Sequence, residues 1–306
     1  MLSKYKFYKH SLKSRNEENI MFGKRPDGRV IQNLEPMQQI MPYVMKTRTD
    51  SMNMYEDAFA CEPMDEYIKA KSEEGLKLSY MHIIIAAIVR LIALRPQLNR
   101  FVMNGRIYAR HKIWVSFVVH PTLRDESVGT TIKLCFEGTE TIYEIAEKIN
   151  NAIENETTKR TGENDTDKLL RTLMKRIPGP LIKLVIDTLL WMDKHSFMPK
   201  IIIELSPFHT SFFITNLKSL GINHIYHHVY EFGTTGLFFA MGKERPEVIY
   251  DHNEIKVEKQ MGFGLVSDER FCDGLYYALS LRQLRKFMKN PSCLEKPLEA
   301  KIEDVE

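Results

Sequence analysis

Three histidines stand together in this chain, His224, His227 and His228, in the pattern His-x-x-His-His. Imidazoles ligate divalent metals and exchange protons near neutral pH, and on a helix His224 and His228 would share a face. A metal would need a third ligand. No carboxylate follows at helical spacing, because Glu231 precedes the loop at Gly233. No metal is therefore expected, and the histidines read as structural groups, substrate contacts or a relocated proton acceptor. Cys272 could serve as a nucleophile, but a free cysteine more often packs as a small hydrophobe. The four cysteines, at 61, 135, 272 and 293, form no C-x-x-C pair. That excludes a thioredoxin-type redox pair and a cysteine zinc finger, and it fits a reducing, cytoplasmic setting.

The elements that must position these groups belong to a chain of 306 residues with 43% hydrophobic and 27% charged residues. These are ordinary globular values at a length that buries a large core. The net charge of +3 is lopsided: residues 1–30 hold eight Lys/Arg against Glu17, Glu18 and Asp27. This start is expected to be a solvated basic arm, and the acidic residues 298–306 a tail. A near-neutral body argues against a nucleic-acid partner, since phosphate affinity comes from accumulated Lys and Arg. The most apolar run, Tyr80 to Leu94, contains His82 and Arg90 and is shorter than the ~20 residues a span needs, so it reads as a buried helix.

Strands are expected over Ser51–Ala60, Trp114–His120, Thr130–Phe136, Ser211–Asn216, Leu237–Gly242 and Ile255–Ser267, and a hairpin over Phe101–Tyr108 around Asn104-Gly105. Helices are expected from Met64 to Glu74 and from the Thr141–Glu144 capping box onward. The polar run Glu154–Asp167 reads as an exposed connection. Two apolar helical stretches, Lys168–Ile177 and Leu181–Lys194, are broken by Pro178-Gly179-Pro180. Their basic residues permit contact with a membrane surface, although packing on the protein's own core or on a neighbouring subunit is favoured. A last helix runs from Gly274 to Lys289. The pattern suggests an α/β (α+β) two-layer sandwich, a mixed sheet covered by helices.

The segment Ser267-Asp268-Glu269-Arg270-Phe271-Cys272-Asp273-Gly274, followed by an amphipathic helix and Asn290-Pro291, resembles the carboxy-terminal signature of the chloramphenicol acetyltransferase-like superfamily. Its nearest branch is the catalytic domain of 2-oxoacid dehydrogenase acyltransferases. Gly75–Ser79 leading into the buried helix, Arg95–Asn99, and Ile214-Thr215-Asn216-Leu217-Lys218-Ser219-Leu220-Gly221 have counterparts in the same order. The resemblance covers about residues 35–297 and implies one acyltransferase-like domain (31–297) with a helical insertion at 166–200. It also implies a homotrimer, coenzyme A or acyl-CoA as substrate, and a small-molecule acceptor. No lipoyl domain precedes it, so a dehydrogenase core subunit is not expected.

In that family a His-x-x-x-Asp-Gly histidine takes a proton from the thiol, which then attacks the acyl thioester. A Ser or Thr hydroxyl near the Asn-x-Gly loop stabilises the oxyanion, the Asp holds the loop through an amino-terminal Arg, and the site lies between subunits. Here Glu269 occupies the histidine position, while Asp273 and Gly274 are kept. Lys218 replaces the first loop glycine. Asn223 and His224 fall nearest the oxyanion position, with Ser219, His227 and His228 as further substrate contacts. Gln38-Gln39 stands where the family has Arg-Lys, leaving the arginine partner of Asp273 unassigned. A thiol of pKa ~8.5 gives its proton to an ordinary carboxylate about two units less favourably than to imidazole, roughly a hundredfold in rate. Family-type acyl transfer through Glu269 is thus impaired but not forbidden. Its competitor is an inactive homologue kept as an oligomeric scaffold or binding module.

Overall fold

The computed structural model describes residues 24–120, 129–158, 178–251 and 253–306. In chain order the strands are β1 (Gly28–Val30), β2 (Met52–Ala60), β3 (Arg100–Met103), β4 (Arg106–Arg110), β5 (Ile113–Val119), β6 (Thr130–Phe136), β7 (Phe212–Asn216), β8 (Leu237–Asp251) and β9 (Glu254–Asp268). The helices are α1 (Pro36–Val44), α2 (Glu62–Glu73), α3 (Tyr80–Leu94), α4 (Ile142–Thr158), α5 (Gly179–Lys194), α6 (Lys200–Leu205) and α7 (Gly274–Lys289).

Local signals explain most of these boundaries. Ser79 accepts from the His82 backbone N–H and opens α3, which is buried on nearly every side from Tyr80 to Ala93. Asn104 and Gly105 both adopt positive φ, as a tight β3–β4 hairpin demands. Thr141 and Glu144 exchange the bonds of a capping box, 2.7 Å from the Thr141 N–H and 3.3 Å to the Thr141 hydroxyl. The helix they open buries Ile142, Ile145 and Ile149. The architecture is the α/β sandwich that the sequence suggests. A six-stranded mixed sheet, ordered β2-β9-β8-β7-β5-β6, lies against the helices, beside a small sheet β1-β4-β3.

Because side chains alternate along a strand, β8 and β9 present two unlike faces. Phe239, Met241, Met261, Phe263 and Leu265 join α3, α4 and α7 in the main core. On the opposite face Phe213, Val229, Phe238 and Val266 form a second, small apolar cluster beneath the chain at 221–232. Beyond a register shift between Met241 and Glu244, β8 pairs only with β9 and the two run on as a free ribbon. Its Val248, Tyr250, Ile255 and Val257 are 69–74% exposed. The sequence reading ended β8 at Gly242; it continues to Asp251 through Pro246, which an edge position tolerates.

Two expectations about the ends change. The basic arm cannot extend to residue 30: Arg25 and Asp27 are buried and β1 pairs with β4. Residues 1–23 lie outside the described residues, as does the helix expected over Lys168–Ile177. The acidic tail is docked, with Asp304 gripping Arg100 through two 2.7 Å bonds and Ile302 N–H reaching the Ala93 carbonyl. A buried charge opposite a buried guanidinium has to be paired, which explains why these acidic residues do not float free. Of α5, only Asp193 is buried, while Leu184 and Trp191 stay more than half exposed. Among the described residues no helix is long and apolar enough to cross a membrane.

Candidate functional site at the end of β9

Strand β9 ends on a carboxylate that the sequence reading passed over. Asp268 is fully buried and accepts two bonds from Arg270, 2.8 Å from Nε and 2.7 Å from the terminal nitrogen. Ser51 Oγ donates to it at 3.0 Å, and Arg48 Nε lies 3.7 Å away. Asp268 also accepts from the Arg270 backbone N–H and so caps the short turn Glu269–Phe271. Arg48, ahead of β2 in the chain, faces Asp268 and not Asp273. Asp273 is exposed; it caps α7, accepting from the Tyr276 N–H at 2.8 Å. With a carboxylate at that cap, the turn needs no distant cation to fix the helix start.

Glu269 projects from this anchored turn. Its backbone N–H donates to the Ser51 carbonyl at 2.8 Å, and its side chain is exposed with no hydrogen-bond partner among the described residues. Cys272 is buried, and that burial, with Asp273 and Asp268 nearby, pushes its thiol up to about 12. A thiol so rarely ionised is no nucleophile, which agrees with the packing role.

The three histidines separate. Asn223 and His224 lie in a cradle made by Gly242, Gly262 and Gly264 on the open face of the sheet. A methyl group on Gly264 would stand 2.8 Å from His224 Cδ2, and one on Gly262 2.7 Å from Nδ1. Only bare backbone admits an imidazole this close. Its Nδ1 faces Asn223 Oδ1 at 3.2 Å, and its Nε2 lies 3.5 Å from Glu56 Oε1 on β2. His227 stacks on Phe238 with ring centroids 4.3 Å apart, its buried Nε2 without a partner among the described residues. Burial and the adjacent His228 lower its proton affinity. His228 is exposed. Ser219 is used locally, its hydroxyl donating to the Asn216 carbonyl at 2.7 Å. Among the described residues no group of three His, Cys, Asp or Glu could hold a metal.

Within one protomer the cradle and Glu269 do not meet. Gly262 and Gly264 are separated from Glu269 by a stretch of strand of roughly 20 Å. Glu56 sits in no motif, and Asp268, although inside the Ser267–Gly274 segment, is not one of the positions to which the resemblance gives a role. The one available signal was the Gly-x-Gly at 262–264, which opens a strand to close approach.

The fold has counterparts among solved proteins. A probable dihydrolipoamide acetyltransferase from Listeria monocytogenes superposes with a TM-score of 0.54 at 14% identity, over 89% of this chain and 99% of that one. The dihydrolipoamide acetyltransferase of Azotobacter vinelandii gives 0.55 at 12% identity, over 86% and 93%. The fold is chloramphenicol acetyltransferase-like. A chloramphenicol acetyltransferase itself gives a TM-score of 0.51 at 12% identity, over 86% of this chain and all of that one. No family model matches the sequence, and no curated protein matches it.

Proposed function

We propose that this chain is an acyl-handling protein that binds a coenzyme A thioester and transfers the acyl group to a small-molecule acceptor. The observation that supports this reading is the anchored turn after β9, from which Glu269 projects, on a chloramphenicol acetyltransferase-like fold; the sequence resemblance aligns Glu269 with the family's proton acceptor. In this reading Glu269 is the proton acceptor and Asp273 fixes the start of α7 behind it. Asn223 and His224 supply the polar contacts to the thioester oxygen. Because these two sets stand apart within a protomer, the working site is formed between copies, which favours a trimer.

One observation favours a second reading. The Glu269 carboxylate has no side-chain partner to orient it among the described residues, and unoriented bases are poor catalysts. An oligomeric scaffold without catalysis accommodates that fact directly. Calorimetric titration with coenzyme A and acetyl-CoA separates the two. Saturable micromolar binding, weakened by Glu269→Trp, supports acyl transfer. No heat at millimolar ligand overturns it and leaves the scaffold.

A further inference from the structure

A cavity of about 520 Å³ opens beside the Asp268 cluster. Four cationic side chains line it: Arg48 and Arg270 are buried, whereas Lys46 and Lys194 are exposed. Tyr43 of α1, Val102 of β3 and Leu190 of α5 supply apolar wall. This volume falls within the roughly 300–1,000 Å³ of small-molecule sites, and apolar wall with a few convergent polar groups is their usual make-up.

The charges here do not balance. Arg270 takes both oxygens of Asp268, leaving Arg48 a single 3.7 Å approach to that carboxylate. The other Arg48 nitrogens donate to the carbonyls of Tyr230, Glu231 and Val102. Carbonyl oxygens satisfy N–H groups without neutralising a buried cation, whose burial is costly when unpaired. Glu231 on the wall is bonded to Thr49 and makes no close ion pair, though its charge also acts on Arg48 and offsets part of the wall's positive charge. Asp193 also reaches the wall, but its oxygens are engaged by Arg25 and His209. Lys46 and Lys194 have no ion-pair partner among the described residues. The wall therefore carries surplus positive charge around one open-mouthed cleft, with its two most buried cations both turned to Asp268.

We propose that this cavity binds the anionic end of a small molecule, a carboxylate or phosphate held between Lys46 and Lys194 over Arg48. The cation cluster stands on its own geometry; naming the ligand as a substrate rests on the acyl-transfer reading, because Arg270 directly follows Glu269. Under that reading the anion is either a phosphate of the acyl donor or the charged group of the acceptor.

Titration of the purified chain with inorganic pyrophosphate, and separately with coenzyme A, tests this. Lys46→Met/Lys194→Met is compared with Arg282→Met/Lys286→Met, which removes equal charge from the outer face of α7. Pyrophosphate binds saturably, and the cavity variant weakens it about tenfold or more while the control shifts it less than about twofold. If coenzyme A competes with pyrophosphate and weakens in parallel, the anion is the donor's phosphate. If coenzyme A binding survives the cavity variant, the anion is the acceptor's. If coenzyme A fails to bind while pyrophosphate still does, the acyl-transfer reading falls and the cavity remains an anion site. No heat with millimolar pyrophosphate, or equal weakening by both variants, overturns the proposal.

Discussion

Two buried ionic clusters among the described residues are built on different terms. In the first, Arg25 bridges Asp27 at 2.9 Å and Asp193 at 2.8 Å, His209 Nε2 donates to Asp193 at 3.1 Å, and Arg110 faces Asp27 at 3.8 Å. Two cations meet two carboxylates, and the guanidiniums rest over the Phe101 ring. That cluster ties β1, β4, α5 and the turn before β7 together. In the second, Arg48 and Arg270 share Asp268 and open onto a cavity. The contrast teaches that balance marks a fastener and surplus marks a receptor: a fastener gains nothing from leftover charge, whereas a ligand supplies what is missing.

Asp268→Ala is the sharpest way to break this comparison. It strands two buried guanidiniums and is expected to cost about 3–5 kcal/mol, read from urea unfolding. Asp193→Ala should cost less, about 1–3 kcal/mol, because Arg25 keeps its two-pronged bond to Asp27. If the two losses come out equal, the distinction between the clusters is lost. The balanced cluster alone contains a histidine, which sharpens the comparison through pH. Burial lowers the His209 proton affinity despite the neighbouring Asp193. The unfolded chain then binds the extra proton first, so stability drops as pH falls below about 6.5, by at most ~1.4 kcal/mol per pH unit. His209→Gln should remove that share of the slope, and urea midpoints across the acid range would show it. The smallest effect belongs to Asp187→Ala, whose pair with Lys183 on the outside of α5 is solvated. A change below about 0.5 kcal/mol is expected; a larger one would mean that Asp193 is not the main anchor of that helix.

The sequence made the local elements legible and the distant pairings opaque. The α3 helix, the Asn104-Gly105 hairpin and the Thr141 capping box declare themselves within a few residues, because their physics is local. Arg25 meets Asp193 across 168 positions, and Ser51 meets Asp268 across 217, spacings that no periodicity records. The ribbon was cut short because Lys243-Glu244-Arg245-Pro246 looks like a turn to a reader of propensities. Helix α1 escaped notice for a related reason: Pro42 interrupts it, and its exposed Met37, Ile40, Tyr43 and Val44 blur the expected amphipathic pattern. At the site, Glu269, Asp273 and Cys272 could be located by resemblance. The groups that hold and charge the turn could not, since Arg48 stands outside any motif and the resemblance gives Asp268 no role of its own.

The order of the sheet also dictates a sequence of events during synthesis. Strand β2 pairs only with β9, from Met52 opposite Asp268 to Ala60 opposite Gln260. Strand β2 therefore waits for its partner until residues 260–268 have been made. Such late closure of a non-local pairing slows folding and leaves an edge exposed to neighbouring nascent chains in the meantime. Further along the chain, Asp304 closes on Arg100 and adds another pairing between distant segments.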